Sequence, residues 1–156
     1  MTSSPAPGYN PPNCFAARVL APLIRPLLAL LVIIDIVLGG VAVFFPWIYM
    51  DFIHPDAPPD EPVYLLIRAG VIWLGYLVIQ AIAFFQYRRV PEWILVVAFL
   101  RLVEVPADTV YVVIGCGIGL LGRIGLIVAP VFNLIVGIIF VWWYFRCGRF
   151  YLGQVL

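Results

Sequence analysis

The chain has 156 residues, 65% of them hydrophobic and 11% charged, with a mean hydropathy of +1.11. Soluble domains run at roughly 45–50% apolar and 25% charged residues, so a water-soluble globular fold is excluded. A formal net charge of +1 leaves no basic patch from which nucleic-acid binding could be argued.

Residues 1–18 read MTSSPAPGYNPPNCFAAR. This proline-rich, small-polar stretch buries too little apolar surface to offset its ordering entropy, and a disordered cytoplasmic tail is expected. The apolar run 26–45 is longer than a signal-peptide core and lacks a small-residue cleavage site, so it reads as a retained first span. Pro46 ends it. Residues 45–62 then collect Asp51, Asp56, Asp60 and Glu61 without a single Arg, the chemistry of a solvated loop outside the cytoplasm. A second span over 63–87 ends at Arg88 and Arg89, and Pro91, a favoured first-turn residue, opens a third over 92–115. The short turn YRRVPEW makes these two adjacent and antiparallel. The glycine-rich GCGIGLLGRIG follows, then a fourth span over 126–145 and a short cytoplasmic end at 150–156. The expected fold is all-α: a polytopic, antiparallel four-helix transmembrane bundle within residues 19–149.

Arg18, Arg25, Arg88, Arg89, Arg146 and Arg149 gather at one end of these spans, against Arg68 and Arg123 at the other. The positive-inside rule places both termini in the cytoplasm, as in a bacterial inner membrane. Aromatic residues agree: Trp47, Tyr49 and Tyr64 fall at the outer boundary, and Tyr87, Trp93, Trp142, Trp143 and Tyr144 at the inner one.

The third span carries charges where hydrocarbon is expected. Arg101, Glu104 and Asp108 fall within an arc of roughly 60° at 100° per residue, and Ile94 and Val97 continue the same face. Ionised groups at mid-bilayer cost at least about 2.5–3.5 kcal/mol each, so this stripe is expected to turn inward and find partners. Depth arithmetic proposes them. With a rise of about 1.5 Å per residue, Asp35 and Arg101 both lie roughly 14 Å beyond the inner ends of their helices, and Arg68 and Asp108 are matched likewise from the outer ends. Glu104 lies between the pairs, giving three carboxyls to two guanidiniums, so one carboxyl is expected to hold a proton; Glu104 is the candidate on position. Asn133, on the fourth span, completes the expected buried polar cluster as an interhelical hydrogen-bonding group. Such a cluster has two readings: internal ties that fix helix register, or the lining of a site for a polar solute, a lipid or quinone head group, or a transferred proton.

Pro106 removes a hydrogen bond to the Leu102 carbonyl within the charged stripe and is expected to bend the helix. Small residues mark packing seams: Asp35, Gly39 and Ala42 on the first span, Gly75 sharing a face with Arg68 on the second, and Ala129, Asn133 and Gly137 on the fourth. Gln80 and Gln86 carry no evident role.

Enzymatic signals are weak. GIGLLG at 117–122 matches a dinucleotide-binding pattern, but no strand precedes it and no suitably spaced acid follows, so tight turning explains its glycines better. His54 is the lone histidine, which leaves a bis-histidine haem without ligands, and a metal held with Asp51 or Asp56 is a minor reading. Cys14, Cys116 and Cys147 form neither a C-x-x-C motif nor a disulfide framework. Nucleophilic chemistry lacks its residues, since no serine follows Ser4 and Thr109 is the last threonine. No catalytic, cofactor or metal site is assigned. In its short loops, inward ends and few buried charges, the chain resembles small four-helix bacterial membrane proteins of the DoxX-like kind, a likeness of topology that carries no function with it. The expected role is a non-enzymatic accessory or scaffolding subunit that docks on another membrane protein or on a second copy of itself. The alternative is a proton-linked transporter or binding protein for a small polar solute or a lipid or quinone head group.

Overall fold

The computed structural model describes residues 15–56, 63–115 and 117–148. Residues 1–14 of the expected tail, the acidic residues Asp60 and Glu61, Cys116 and the stretch 150–156 lie outside the described residues. The described chain is all helical: α1 (Phe15–Phe44), α2 (Pro46–Ile53), α3 (Val63–Gln86), α4 (Glu92–Ile114) and α5 (Leu120–Trp143), closed by a π-helical turn over Tyr144–Gly148.

Among the described residues, three segments are long and apolar enough to cross a membrane: Pro22–Phe44, Val63–Gln86 and Leu120–Arg146. The length of α4 is similar, but Arg101, Glu104 and Asp108 interrupt its apolar run. Its helix continues through Pro106, whose ring lies on an exposed face. Helix α1 begins at Phe15, so the residues 15–18 assigned to the tail are helical. Leu120 rather than residue 126 opens α5, so the second half of the glycine-rich segment is its first turn. A further difference is α2. Pro46 breaks the first span as expected, yet its fixed φ suits the first turn of a new helix, and the segment read as open loop is helical as far as Ile53.

The helices pair α1 with α3 and α4 with α5, and the two pairs meet less extensively. Glycine sets the first pairing. A Cβ on Gly70 would lie 2.8 Å from both Ala42 Cβ and Val43 Cγ2, and one on Gly39 would lie 3.1 Å from the Gly70 carbonyl oxygen, so the two backbones approach in the manner of small-residue contacts between membrane helices. Gly75 plays no such part: nothing lies within 4 Å of the position its Cβ would take, and that face of α3 is exposed. In the second pairing Gly137 receives Leu102, whose Cγ would stand 2.7 Å from an added Cβ.

The bundle is packed unequally along its length. The half that holds the start of α1, the α3–α4 turn and the end of α5 is filled by one core cluster, including Ile24, Leu28, Leu31, Val97, Phe140 and Trp143. Toward α2 and the α4–α5 turn the packing opens into a hollow. There α2 is tied down at its end: the Gly119 N–H donates to the Ile53 carbonyl at 3.0 Å, and a Cβ on Gly122 would meet that same oxygen at 2.6 Å. Among the described residues, Gly117 alone takes a positive φ, 65°. Tight turning therefore accounts for Gly117, while Gly119 and Gly122 are needed for the close approach of α2.

Around the outside, Ile33 and Val37 on α1, Val71 and Val78 on α3, Phe99 and Val103 on α4, and Ile135 and Ile138 on α5 are exposed. Along the helices the outer surface is largely apolar, the pattern of helices solvated by lipid.

Candidate functional site

Where the packed half meets the hollow, polar side chains from four helices converge. Asp35 of α1 is paired with Arg101 of α4 at 2.5 Å, and the Gln80 side-chain amide of α3 donates to the same carboxylate oxygen at 2.7 Å. Side chains tilt toward the start of their own helix. On antiparallel α1 and α3, Asp35 and Gln80 therefore lean toward one another and close the gap between their turns. Arg101 also donates to Glu104 at 2.8 Å, one turn along α4, and Asn133 of α5 donates to Glu104 at 3.2 Å and to Asp108 at 3.4 Å.

Of the six residues expected in the polar cluster, the structure brings Asp35, Arg101, Glu104, Asp108 and Asn133 together. Arg68 is not among them. It is exposed on α3, and among the described residues no ion pair joins it to Asp108. At 100° per residue Arg68 lies about 160° around α3 from Gly70, the residue that faces α1, and its side chain is exposed. Matched depth alone does not bring two side chains together.

Losing Arg68 changes the charge balance. Three carboxyls now share the single guanidinium of Arg101, which is spent on Asp35 and Glu104. Asp108 has only the neutral amide of Asn133 as its hydrogen-bond partner among the described residues. Exposure grades in the same order, with the side chains of Asp35 and Arg101 at 2% and 3% and Glu104 at 13%. The cluster has a sealed side and an open side.

The open side faces the hollow, which has two lobes. One, of about 470 Å³, is bounded by Tyr49, His54, Trp73, Tyr76, Tyr111 and the carboxyls of Glu104 and Asp108. The other, of about 370 Å³, reaches Asp35, Arg101 and Asn133. Tyr49, Trp73, Glu104, Asp108 and Leu126 border both, so the two acids stand where the lobes meet. Volumes of this size are those of small-molecule sites, which combine apolar walls with a few convergent polar groups.

Sequence reading placed Tyr49 at the membrane boundary, His54 in a loop and Gln80 without a role. The structure gives each a place. Tyr49 and Trp73 have ring centroids 6.3 Å apart across the hollow's wall. The Tyr49 phenol, on α2, is pushed up to about 12 by burial, with the neighbouring Tyr111 and Asp108 adding to it. His54 is buried, and its Nε2 is 2.5 Å from the Tyr111 hydroxyl, which joins the end of α2 to α4. The only signal for these wall residues was the clustering of aromatics between residues 47 and 76, which also fits an interfacial belt.

Among the described residues no group of three His, Cys, Asp or Glu is placed to hold a metal ion. The chain matches no known protein family, no curated protein and no solved structure. Functional interpretation rests on the hollow and the charges beside it.

Proposed function

We propose that this chain is a multi-pass membrane protein that binds a small polar molecule or head group in the hollow between its two helix pairs, with proton-linked transport the fuller form of that activity. The reading takes α4 as a fourth span. Its three charges would be prohibitive facing lipid, but they turn toward the other helices, while Phe99, Val103 and Val110 face outward. Arginine distribution orients the bundle with both termini in the cytoplasm, in a bacterial inner membrane.

The observation that carries the reading is Asp108 and Glu104 at the junction of the two lobes, in a cluster where three carboxyls share one guanidinium and so fall two positive charges short of balance. A cluster serving only as internal ties would be closed and paired throughout, since uncompensated charge in a low-dielectric interior is costly. Exposed apolar faces are the support for an accessory or scaffolding role, but lipid accounts for them equally well, and that role stands second.

Thiol access tests the proposal. In a variant whose native cysteines are replaced by alanine, Leu126→Cys, which borders both lobes, is expected to react with a small neutral hydrophilic thiol reagent in lipid nanodiscs. Ile135→Cys, exposed on the outer face of α5, is expected to be protected by lipid. Equal protection of both would mean that no polar molecule reaches the hollow, and the proposal would fall.

A further inference from the structure

Resting on the proposal that the hollow binds a small molecule, we infer that its ligand class is an organic cation: a protonated amine or quaternary ammonium with an apolar body. Charge and wall chemistry point the same way.

The larger lobe is bounded by two carboxyls and, among the described residues, by no Arg. In the smaller lobe the only basic residue is Arg101, which is already engaged by Asp35 and Glu104. An anion entering this space would meet two acids and one guanidinium that is already ion-paired twice, with only its buried Nε unpartnered. A cation would supply what Asp108 lacks.

Four aromatic side chains, Tyr49, Trp73, Tyr76 and Tyr111, border the larger lobe beside those acids. The face of an aromatic ring carries partial negative charge, and walls of this kind are how proteins hold ammonium groups too large or too weakly hydrated for carboxylates alone. An inorganic divalent ion would instead demand a shell of several oxygen donors, and no such cluster is present among the described residues.

A second observation is independent of the acids. His54 borders the same lobe, is 6% exposed, and its Nδ1 has no hydrogen-bond partner among the described residues, although Nε2 is bonded to Tyr111. Buried polar atoms in folded proteins are satisfied as a rule, by protein, water or ligand. That nitrogen, like the Arg101 Nε beside the smaller lobe, is a polar atom whose hydrogen-bonding capacity is unspent.

The test compares three water-soluble aromatic probes of similar size on the full chain in nanodiscs, with empty nanodiscs subtracted: phenyltrimethylammonium, benzyl alcohol and benzoate. Calorimetry is expected to show the cation binding at least about ten-fold more tightly than the neutral probe, with benzoate not binding. Asp108→Asn, which keeps the shape and the Asn133 contact, is expected to remove that preference while leaving benzyl alcohol unchanged and the thermal unfolding midpoint near that of the parent. If all three probes bind alike, or if Asp108→Asn keeps the full preference, the cation assignment is wrong while the hollow remains a binding site. If none binds at millimolar concentration in a protein whose Leu126→Cys variant is reached by the hydrophilic reagent, the assignment is overturned although the hollow is open. If that thiol is also protected, the underlying proposal fails with it.

Discussion

Asp35 of α1 and Arg101 of α4 form a 2.5 Å ion pair across the bundle, with side-chain exposures of 2% and 3%, and this pair fastens the α1–α3 unit to the α4–α5 unit. Removing one partner strands the other in a low-dielectric interior, at a cost of about 3–5 kcal/mol. Arg101→Ala is therefore expected to lower the unfolding midpoint in detergent sharply. Asp35→Asn combined with Arg101→Gln is expected to be less damaging than the sum of its single changes, because neither member of this pair is then left charged against a missing partner, although Glu104 still loses the guanidinium. Strict additivity in that cycle would mean that the two residues do not interact.

Helix approach between α1 and α3 predicts a contrast between two glycines on one helix. Gly70→Ala places a Cβ 2.8 Å from Ala42 Cβ and is expected to destabilise by about 1–3 kcal/mol through overpacking. Gly75→Ala enters open space, where the gain in helix propensity, up to about 1 kcal/mol, is unopposed. Thermal unfolding of the two variants side by side should therefore move in opposite directions.

Arg68 offers a prediction in which matched depth and observed direction disagree. Because it is exposed and, among the described residues, in no ion pair, Arg68→Gln is expected to change stability by no more than about 0.5 kcal/mol. A loss comparable to that of Arg101→Ala would place it back inside the cluster.

These contrasts mark what the sequence made legible. Spacing alone put Arg101, Glu104 and Asp108 on one face with Ile94 and Val97, and depth alone matched Asp35 to Arg101. Both rest on the helical repeat, which tertiary packing leaves intact. The face shared by Arg68 and Gly75 was equally readable, but not which way it points. That is decided by where Gly39 and Gly70 let two backbones approach, a property of the pair of helices rather than of either. Helix α2 was hidden for another reason: acidic and proline-rich neighbours gave its eight residues the look of a loop, while its stability comes from Gly119 and Gly122 more than sixty residues away. The hollow was invisible because a void has no sequence pattern; its walls are aromatic residues that would look the same in a filled core or an interfacial belt.

Docking of α2 against the start of α5 is testable by amide exchange. Gly122→Ala brings a Cβ to within 2.6 Å of the Ile53 carbonyl oxygen, which should push the end of α2 away and weaken the Gly119 N–H bond to that oxygen. Faster exchange at Gly119 is expected, with exchange at Val136 and Phe140 in the packed half unchanged. Gly125→Ala, which meets nothing within 4 Å, serves as the control and should leave all three sites as they were. If Gly122→Ala behaves like that control, α2 is not held by this contact.

Contact between solvent and the carboxyls is the most direct measure of the account, and water-edited solid-state NMR of the protein in bilayers reads it residue by residue. At short mixing times the side-chain carboxyl carbons of Glu104 and Asp108 are expected to receive more magnetisation from mobile water than that of Asp35, which borders the smaller lobe but is only 2% exposed. Should all three stay dark, or should Glu104 and Asp108 draw their magnetisation from lipid acyl chains, the hollow would be closed or the stripe would face lipid, and the account would be contradicted.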